Sequence, residues 1–224
     1  MSGSQEQGLS IYRLRWIGYG LLLFAFVDTI QLLYPPQFTN QVWELQTMGA
    51  MVERIPIPLL GLAMIFFGED FARTNLEDIF LKFLSWLCLL FAIFSLLLVP
   101  LGVTNTLRID KQNNQNIEAQ AQRSLAEFEQ VENEVSQGSI EDLQNIALEL
   151  NRLGLAVDPT KTQELKDEIL SRVEKRKTLL PAQAQATLKN QRTVLLKNSV
   201  KWNFGALIGS ILFFYIWRGT YWAR

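Results

Sequence analysis

The stretch FLSWLCLLFAIFSLLLV, residues 83–99, decides the fold. It is free of charge and lies inside an apolar block that runs from Ile79 to Val103. About 20 residues of helix cross a hydrocarbon core of roughly 30 Å, so this block is long enough to span a bilayer. Lys82 lies near one end, where its stem can cover apolar surface while its ammonium reaches water. Cys88, the only cysteine, sits deep in the block and reads as a small apolar filler.

Three more blocks share this character. The first runs from Leu14 to Tyr34, with Arg13 and Arg15 ahead of it and Pro35-Pro36 ending it. A secretory signal fits it less well, because the apolar run is long and no small-x-small cleavage site follows. The second, Ile55 to Phe71, opens with Pro56 and Pro58, as helix starts do. It is short, and three readings compete: a short or tilted span, a re-entrant segment, or a longer helix kinked at the prolines. The short span is the preferred one. The last block, Trp202 to Trp217, has Trp202 and Phe204 at one end and Tyr215, Trp217, Tyr221 and Trp222 at the other, in the manner of interfacial belts.

Composition agrees. The chain has 224 residues, 49% of them hydrophobic and 19% charged, against roughly 25% charged in soluble domains. Residues 105–200 hold 13 of the 21 Lys/Arg and 14 of the 22 Asp/Glu. The net charge of −1 argues against a nucleic-acid partner driven by charge. A single cysteine excludes an intrachain disulfide framework. The absence of histidine removes imidazole metal sites, histidine-ligated haem and catalysis by a histidine base.

Between spans three and four the spacing predicts helices. Ile117, Ala121, Leu125, Phe128, Val131 and Val135 recur every three or four residues and form one face. Leu125, Phe128, Val131 and Val135 are the candidate partner-binding residues on it. Lys111 to Gln122 is Asn/Gln-rich and reads as a fraying turn or linker. Gly138 breaks this helix, Ser139 caps another with Asp142 three residues on, Gly154 ends it, and Asp158-Pro159-Thr160 turns into a third. That third helix carries Leu165, Ile169 and Val173. Pro181 then begins a last helix that runs into span four. Residues 118–134 are mainly acidic and 172–192 mainly basic, so opposite signs can pair if the helices form an antiparallel hairpin.

The predicted architecture is an all-α integral membrane protein of about four transmembrane helices, with a coiled-coil-like helical hairpin between spans three and four. Its parts are 1–104 (three apolar segments), 105–200 (extramembrane) and 201–224 (the last span). Counting basic residues in the short segments places both termini in the cytoplasm, although the basic residues flanking 105–200 pull the other way.

The residues that could carry chemistry are few. Asp28 is an acid inside span one, costly at a bilayer centre by about 2.5–3.5 kcal/mol. It reads as a proton relay or ion site, or as a structural residue that pairs with Arg54 or makes a helix-packing hydrogen bond with Thr29 or Gln31 nearby. Glu53-Arg54 and Glu69-Asp70, with Arg73, bracket the second block and read mainly as interfacial charges. Gly205 and Gly209 form a GxxxG pattern, and Gly61 and Gly68 offer similar flat spots, as do Gly18 and Gly20. Such residues let helices approach closely, within this chain, in a homodimer or with another protein. There is no phosphate loop, dinucleotide fingerprint, zinc spacing or nucleophile elbow, so neither catalysis nor a cofactor is expected. Bound lipid or pigment stays open, without a histidine for chlorophyll magnesium.

The run Trp43-Glu-Leu-Gln-Thr-Met-Gly-Ala-Met-Val-Glu-Arg-Ile-Pro-Ile-Pro-Leu-Leu-Gly-Leu-Ala-Met-Ile-Phe-Phe-Gly-Glu69, with Tyr34-Pro-Pro-Gln-Phe-Thr39 and the first span, resembles the cyanobacterial HpsJ-like membrane proteins. The resemblance covers residues 12–104 in wording and the remainder in layout. It implies a cyanobacterial membrane protein associated with hormogonium polysaccharide secretion, whose founding member is implicated in exopolysaccharide production and gliding. It supplies no catalytic residues. Three readings follow: a non-enzymatic scaffold among membrane lipids and other membrane proteins, a transport component using Asp28, and an enzyme of polysaccharide assembly, in that order. A role beside a photosynthetic or respiratory complex fits the same residues, in plasma or thylakoid membrane.

Overall fold

The structure is a computed structural model that describes residues 2–68, 73–137, 148 and 165–224. Among the described residues all regular structure is helical: α1 (Ser2–Leu33), α2 (Gln41–Arg54), α3 (Pro56–Phe66), α4 (Asn75–Gln137), α5 (Leu165–Gly219) and a 3-10 turn (Tyr221–Ala223). Four stretches are long and apolar enough to cross a membrane: Leu9–Leu33, Gln41–Phe66, Asn75–Ser136 and Lys166–Gly219. The chain divides into two compact units, Met1–Ile109 with Leu195–Arg224, and Asp110–Val194.

The second span corrects the sequence reading. Residues 41–54, which precede the second apolar block of the sequence, form helix α2, and α3 continues it. The Asn40 side chain accepts from the backbone N–H of Val42 at 3.0 Å and Trp43 at 3.3 Å, capping orphan donors. At the junction Ile55 keeps helical angles. Pro56 and Pro58 cannot donate, and the Val52 carbonyl instead accepts from Ile55 N at 3.2 Å, a tighter i→i+3 bond. The short span starting at the prolines is therefore a longer helix that passes through them.

Two other elements differ. Pro181, read as a helix start, lies inside α5. Its missing donor is outweighed by packing of the turns before it: Ile169 and Val173 are buried, and Leu170 and Leu180 pack on the same cluster. The Asn/Gln-rich stretch 111–122 is continuous α4. The breaks and caps read at Gly138, Ser139, Gly154 and Asp158-Pro159-Thr160 lie outside the described residues.

In the first unit α4 and α5 run antiparallel. Their pairing is recorded by polar contacts at successive levels: Ser85 with Thr220 at 2.8 Å, Ser210 Oγ donating to the Ala92 carbonyl at 2.8 Å, and Thr106 Oγ1 donating to Ser199 Oγ at 2.7 Å. One apolar cluster joins Leu62 and Ile65 of α3 to Leu81, Leu84, Cys88 and Ala92 of α4 and Phe213 of α5. Another joins Leu45, Met48 and Val52 of α2 to Leu98, Ile109 and Ala206.

In the second unit Phe128 and Val135 of α4 pack on Ile169 and Val173 of α5, with Val131 against them, and Leu125 is half-buried. The face assigned to an external partner is thus filled by the chain itself. Lys177 Nζ donates to Glu132 at 2.9 Å, pairing the acidic and basic stretches across an antiparallel hairpin, and Arg192 lies 3.7 Å from Asp110, which precedes the acidic stretch.

Candidate functional site

Glycine decides how closely the helices of the first unit approach. A Cβ on Gly18 of α1 would lie 2.7 Å from the Gly61 carbonyl oxygen, and one on Gly61 would lie 3.0 Å from that of Gly18. The two glycines make one backbone-to-backbone crossing. Gly205 and Gly209 receive Val52 and Ile55 of the α2–α3 junction, at 2.5 and 2.7 Å from an added Cβ. The GxxxG pattern is therefore occupied within the chain. Two contacts escaped sequence reading: Gly49 faces the Trp202 ring and Gly102 faces Met48. Gly20 meets nothing within 4 Å. Gly68 is not on a helix face at all. Its φ of 73° is the left-handed conformation that glycine adopts without steric cost, just after α3 ends.

The polar side chains fall into two layers. In one, Arg54 Nε donates to Asp28 Oδ2, and Arg54 Nη1 to the Ala50 carbonyl at 3.1 Å. Both partners are 39% exposed. The adjacent Glu53 accepts from Lys201 Nζ at 2.6 Å and Trp202 Nε1 at 3.0 Å. Further along, Asn105 Nδ2 donates to Glu44 at 2.9 Å, and Asn203 Nδ2 to the Ser199 carbonyl at 2.8 Å.

The other layer gathers arginines. Arg15, only 5% exposed, donates to the Gly68 carbonyl at 2.7 Å and lies 3.6 Å from Glu77. Tyr19 donates to the same carboxylate at 3.5 Å. The Arg73 guanidinium stacks over Trp222 at 4.6 Å and that of Arg224 over Trp217 at 4.3 Å, favourable cation–π geometry. No acceptor reaches the three guanidinium nitrogens of Arg73 among the described residues. Burial, followed by the neighbouring Arg15 charge, pushes Arg73 below the ordinary arginine range. Glu69 and Asp70 lie outside the described residues.

No group of three or more metal-ligating side chains occurs among the described residues, and the carboxylates above each take a separate partner. What the arrangement does chemically is hold helices together: each acid meets a cation or an amide from another helix.

The model of the HpsJ-like protein family matches residues 9–221. The chain belongs to the HpsJ-like family. The match takes in both units and all four apolar stretches, so the resemblance carried by Tyr34–Thr39 and Trp43–Glu69 extends over the helical hairpin and the last span. No curated protein and no solved structure matches the chain.

Proposed function

We infer that this HpsJ-like protein is a non-enzymatic accessory or scaffold protein of a membrane complex, in a cyanobacterial setting one that assists polysaccharide synthesis or export. The observation that carries the reading is the fate of the charges in the first unit. Asp28, the one residue that suggested transport, is engaged by Arg54, and Glu53 is engaged by Lys201 and Trp202. Charged groups in apolar surroundings persist when paired, and here the pairs tie α1 to α2 and α2 to α5. Such ties suit a packing role better than a proton path. The family supports the link to polysaccharide, and the exposed apolar faces of all four stretches support residence among lipids and other membrane proteins.

Complementation of a deletion strain tests it. Wild-type protein and Asp28→Asn are expected to restore released polysaccharide equally at matched protein level, because an amide still accepts from Arg54. Loss of secretion in Asp28→Asn with normal abundance would favour the transport reading instead. Restoration of respiratory or photosynthetic complex assembly, with polysaccharide unaffected in the deletion, would move the scaffold to that system.

A further inference from the structure

The arginine layer of the first unit has more hydrogen-bond donors than acceptors. Arg73 supplies three of the eight buried side-chain polar atoms that lack a partner among the described residues, and Arg15 Nε is a fourth. A guanidinium carries five N–H donors and does not give up its proton. Arg15 is partly matched, with Nη2 on the Gly68 carbonyl at 2.7 Å and Nη1 3.6 Å from Glu77. Arg73 is not matched at all. Its Cζ lies 4.6 Å from the centre of the Trp222 ring, and a ring face attracts a cation but gives its N–H groups no oxygen. Burial, followed by the Arg15 charge, works against the ionised form of Arg73; Glu77 and Asp78 work for it, yet neither forms a hydrogen bond with it. A charged donor shielded from water and left without an acceptor is costly.

The position of Arg73 narrows the chemistry of the missing acceptor. It lies between the apolar stretches Gln41–Phe66 and Asn75–Ser136, and Trp222 follows the stretch that ends at Gly219. Arg15 stands just ahead of the charge-free run of the first stretch. Direct contacts join these pieces: Arg15 with Gly68 and Glu77, Trp222 with Arg73, and Phe66 edge-on to Trp222 at 6.3 Å. Arginine and tryptophan where membrane spans end mark the depth of lipid headgroups. Helix α4 begins two residues after Arg73 and exposes Leu76, Ile79 and Phe83, spaced along one face as a track for an acyl chain. The planar fork of arginine matches phosphate oxygens two at a time. Because the Arg73 nitrogens are shielded from bulk water, an oxyanion carried on hydrocarbon suits them better than a free hydrated ion.

We propose that Arg73, backed by Trp222 and flanked by Arg15, binds the phosphate group of an anionic phospholipid at the membrane boundary. The phosphate oxygens accept from the unpaired N–H groups, and the bound headgroup ties the segment before α4 to the turn after α5. Stability of the first unit thereby depends on lipid charge. The inference rests on the membrane-spanning reading of the apolar helices and is independent of polysaccharide.

Titration of dioleoyl-phosphatidylglycerol into the full chain, held in micelles of dodecyl maltoside and phosphatidylcholine, tests it. Thermal unfolding is followed by tryptophan fluorescence, since all six tryptophans belong to the first unit. The melting temperature of wild type is expected to rise with phosphatidylglycerol and to saturate as one-site binding does. Arg73→Gln is expected to weaken the apparent affinity by about tenfold or more, as the loss of charge-assisted bonds requires. Arg13→Gln removes the same charge from an exposed position and should leave the affinity within about twofold. Arg73→Lys keeps the charge without the fork and should fall between; if Arg73→Gln does not fold, wild-type affinity in Arg73→Lys would overturn the proposal. Inorganic phosphate at matched ionic strength is expected to add nothing, and stabilisation by it equal to that by phosphatidylglycerol would overturn the lipid source. No response of wild type to phosphatidylglycerol, or equal losses in Arg13→Gln and Arg73→Gln, would overturn the site. So would a wild type indifferent to lipid charge that is destabilised by Glu69→Gln/Asp70→Asn, since those carboxylates would then be the acceptors of Arg73. Extraction of wild type from its membranes by carbonate would overturn the membrane-spanning reading itself, whereas failure of polysaccharide complementation would touch only the proposed function.

Discussion

Replacing Gly18 with alanine tests the α1–α3 crossing at its tightest point. The added Cβ would lie 2.7 Å from the Gly61 carbonyl oxygen and 2.8 Å from Ile65 Cγ1, where ordinary contact begins at 3.4 Å. Ile65 can turn, but the carbonyl belongs to a helix and cannot. The helices must separate by about 0.7 Å, and a gap of 0.5–1 Å forfeits a quarter to a half of each contact's attraction along the seam. Overpacking of this kind costs about 1–3 kcal/mol, offset by about 1 kcal/mol of better helix propensity for alanine. A net loss of up to about 2 kcal/mol follows. Gly20, two residues on, meets nothing within 4 Å, so Gly20→Ala keeps the propensity gain alone. The assay is unfolding by sodium dodecyl sulfate in mixed micelles, read by tryptophan fluorescence, with the two variants compared side by side. They should differ by about 1–3 kcal/mol, the overpacking cost alone, with Gly20→Ala the more stable. Equal stabilities would refute the close crossing.

Three further outcomes are expected. Asp28→Ala strands Arg54 in a half-exposed site and should destabilise the first unit by about 1–3 kcal/mol, discounted from buried-pair values for its exposure; adding Arg54→Ala should recover part of the loss, and a double-mutant cycle without coupling would remove the pair. Ile169→Ala empties a fully buried position beside Val135 and should cost the second unit about 2–5 kcal/mol, seen as earlier proteolysis between α4 and α5. The Glu132 hydrogen bond holds Lys177 above the ordinary lysine pKa of 10.5, so its contribution is complete at neutral pH and is lost as pH rises through the raised value; Lys177→Met should flatten the alkaline limb of the stability profile of the second unit.

The sequence announces its apolar helices because their exposed and core-facing positions are both apolar, so that runs such as 83–99 stay free of charge over the length of a span. The hairpin seam is equally plain: Phe128, Val131 and Val135 recur at helical spacing. Helix α2 is less so, since Glu44, Glu53 and Arg54 break its hydropathy. Its signals were the Asn40 cap and the spacing of Leu45, Met48 and Val52, which were outweighed by the prolines that follow. The contact of Gly49 with Trp202 and the hydroxyl pair Thr106–Ser199 join residues 153 and 93 positions apart, and no local pattern encodes such meetings. Gly68 misled for a related reason. A glycine at the end of an apolar run serves a helix face or a left-handed turn equally well, and only the backbone path distinguishes them. Pro181 shows propensity overridden by the packing of Ile169, Val173 and Leu180 in the turns before it.

The central claim is that this HpsJ-like chain acts by assembly in a membrane complex. The most direct measurement is a mild-detergent pull-down of C-terminally tagged protein from its native membranes, resolved on native gels and identified by mass spectrometry. The account predicts stoichiometric recovery with components of a polysaccharide-synthesis or export apparatus. Recovery of a lone monomer or homodimer under conditions that preserve other membrane complexes would contradict it.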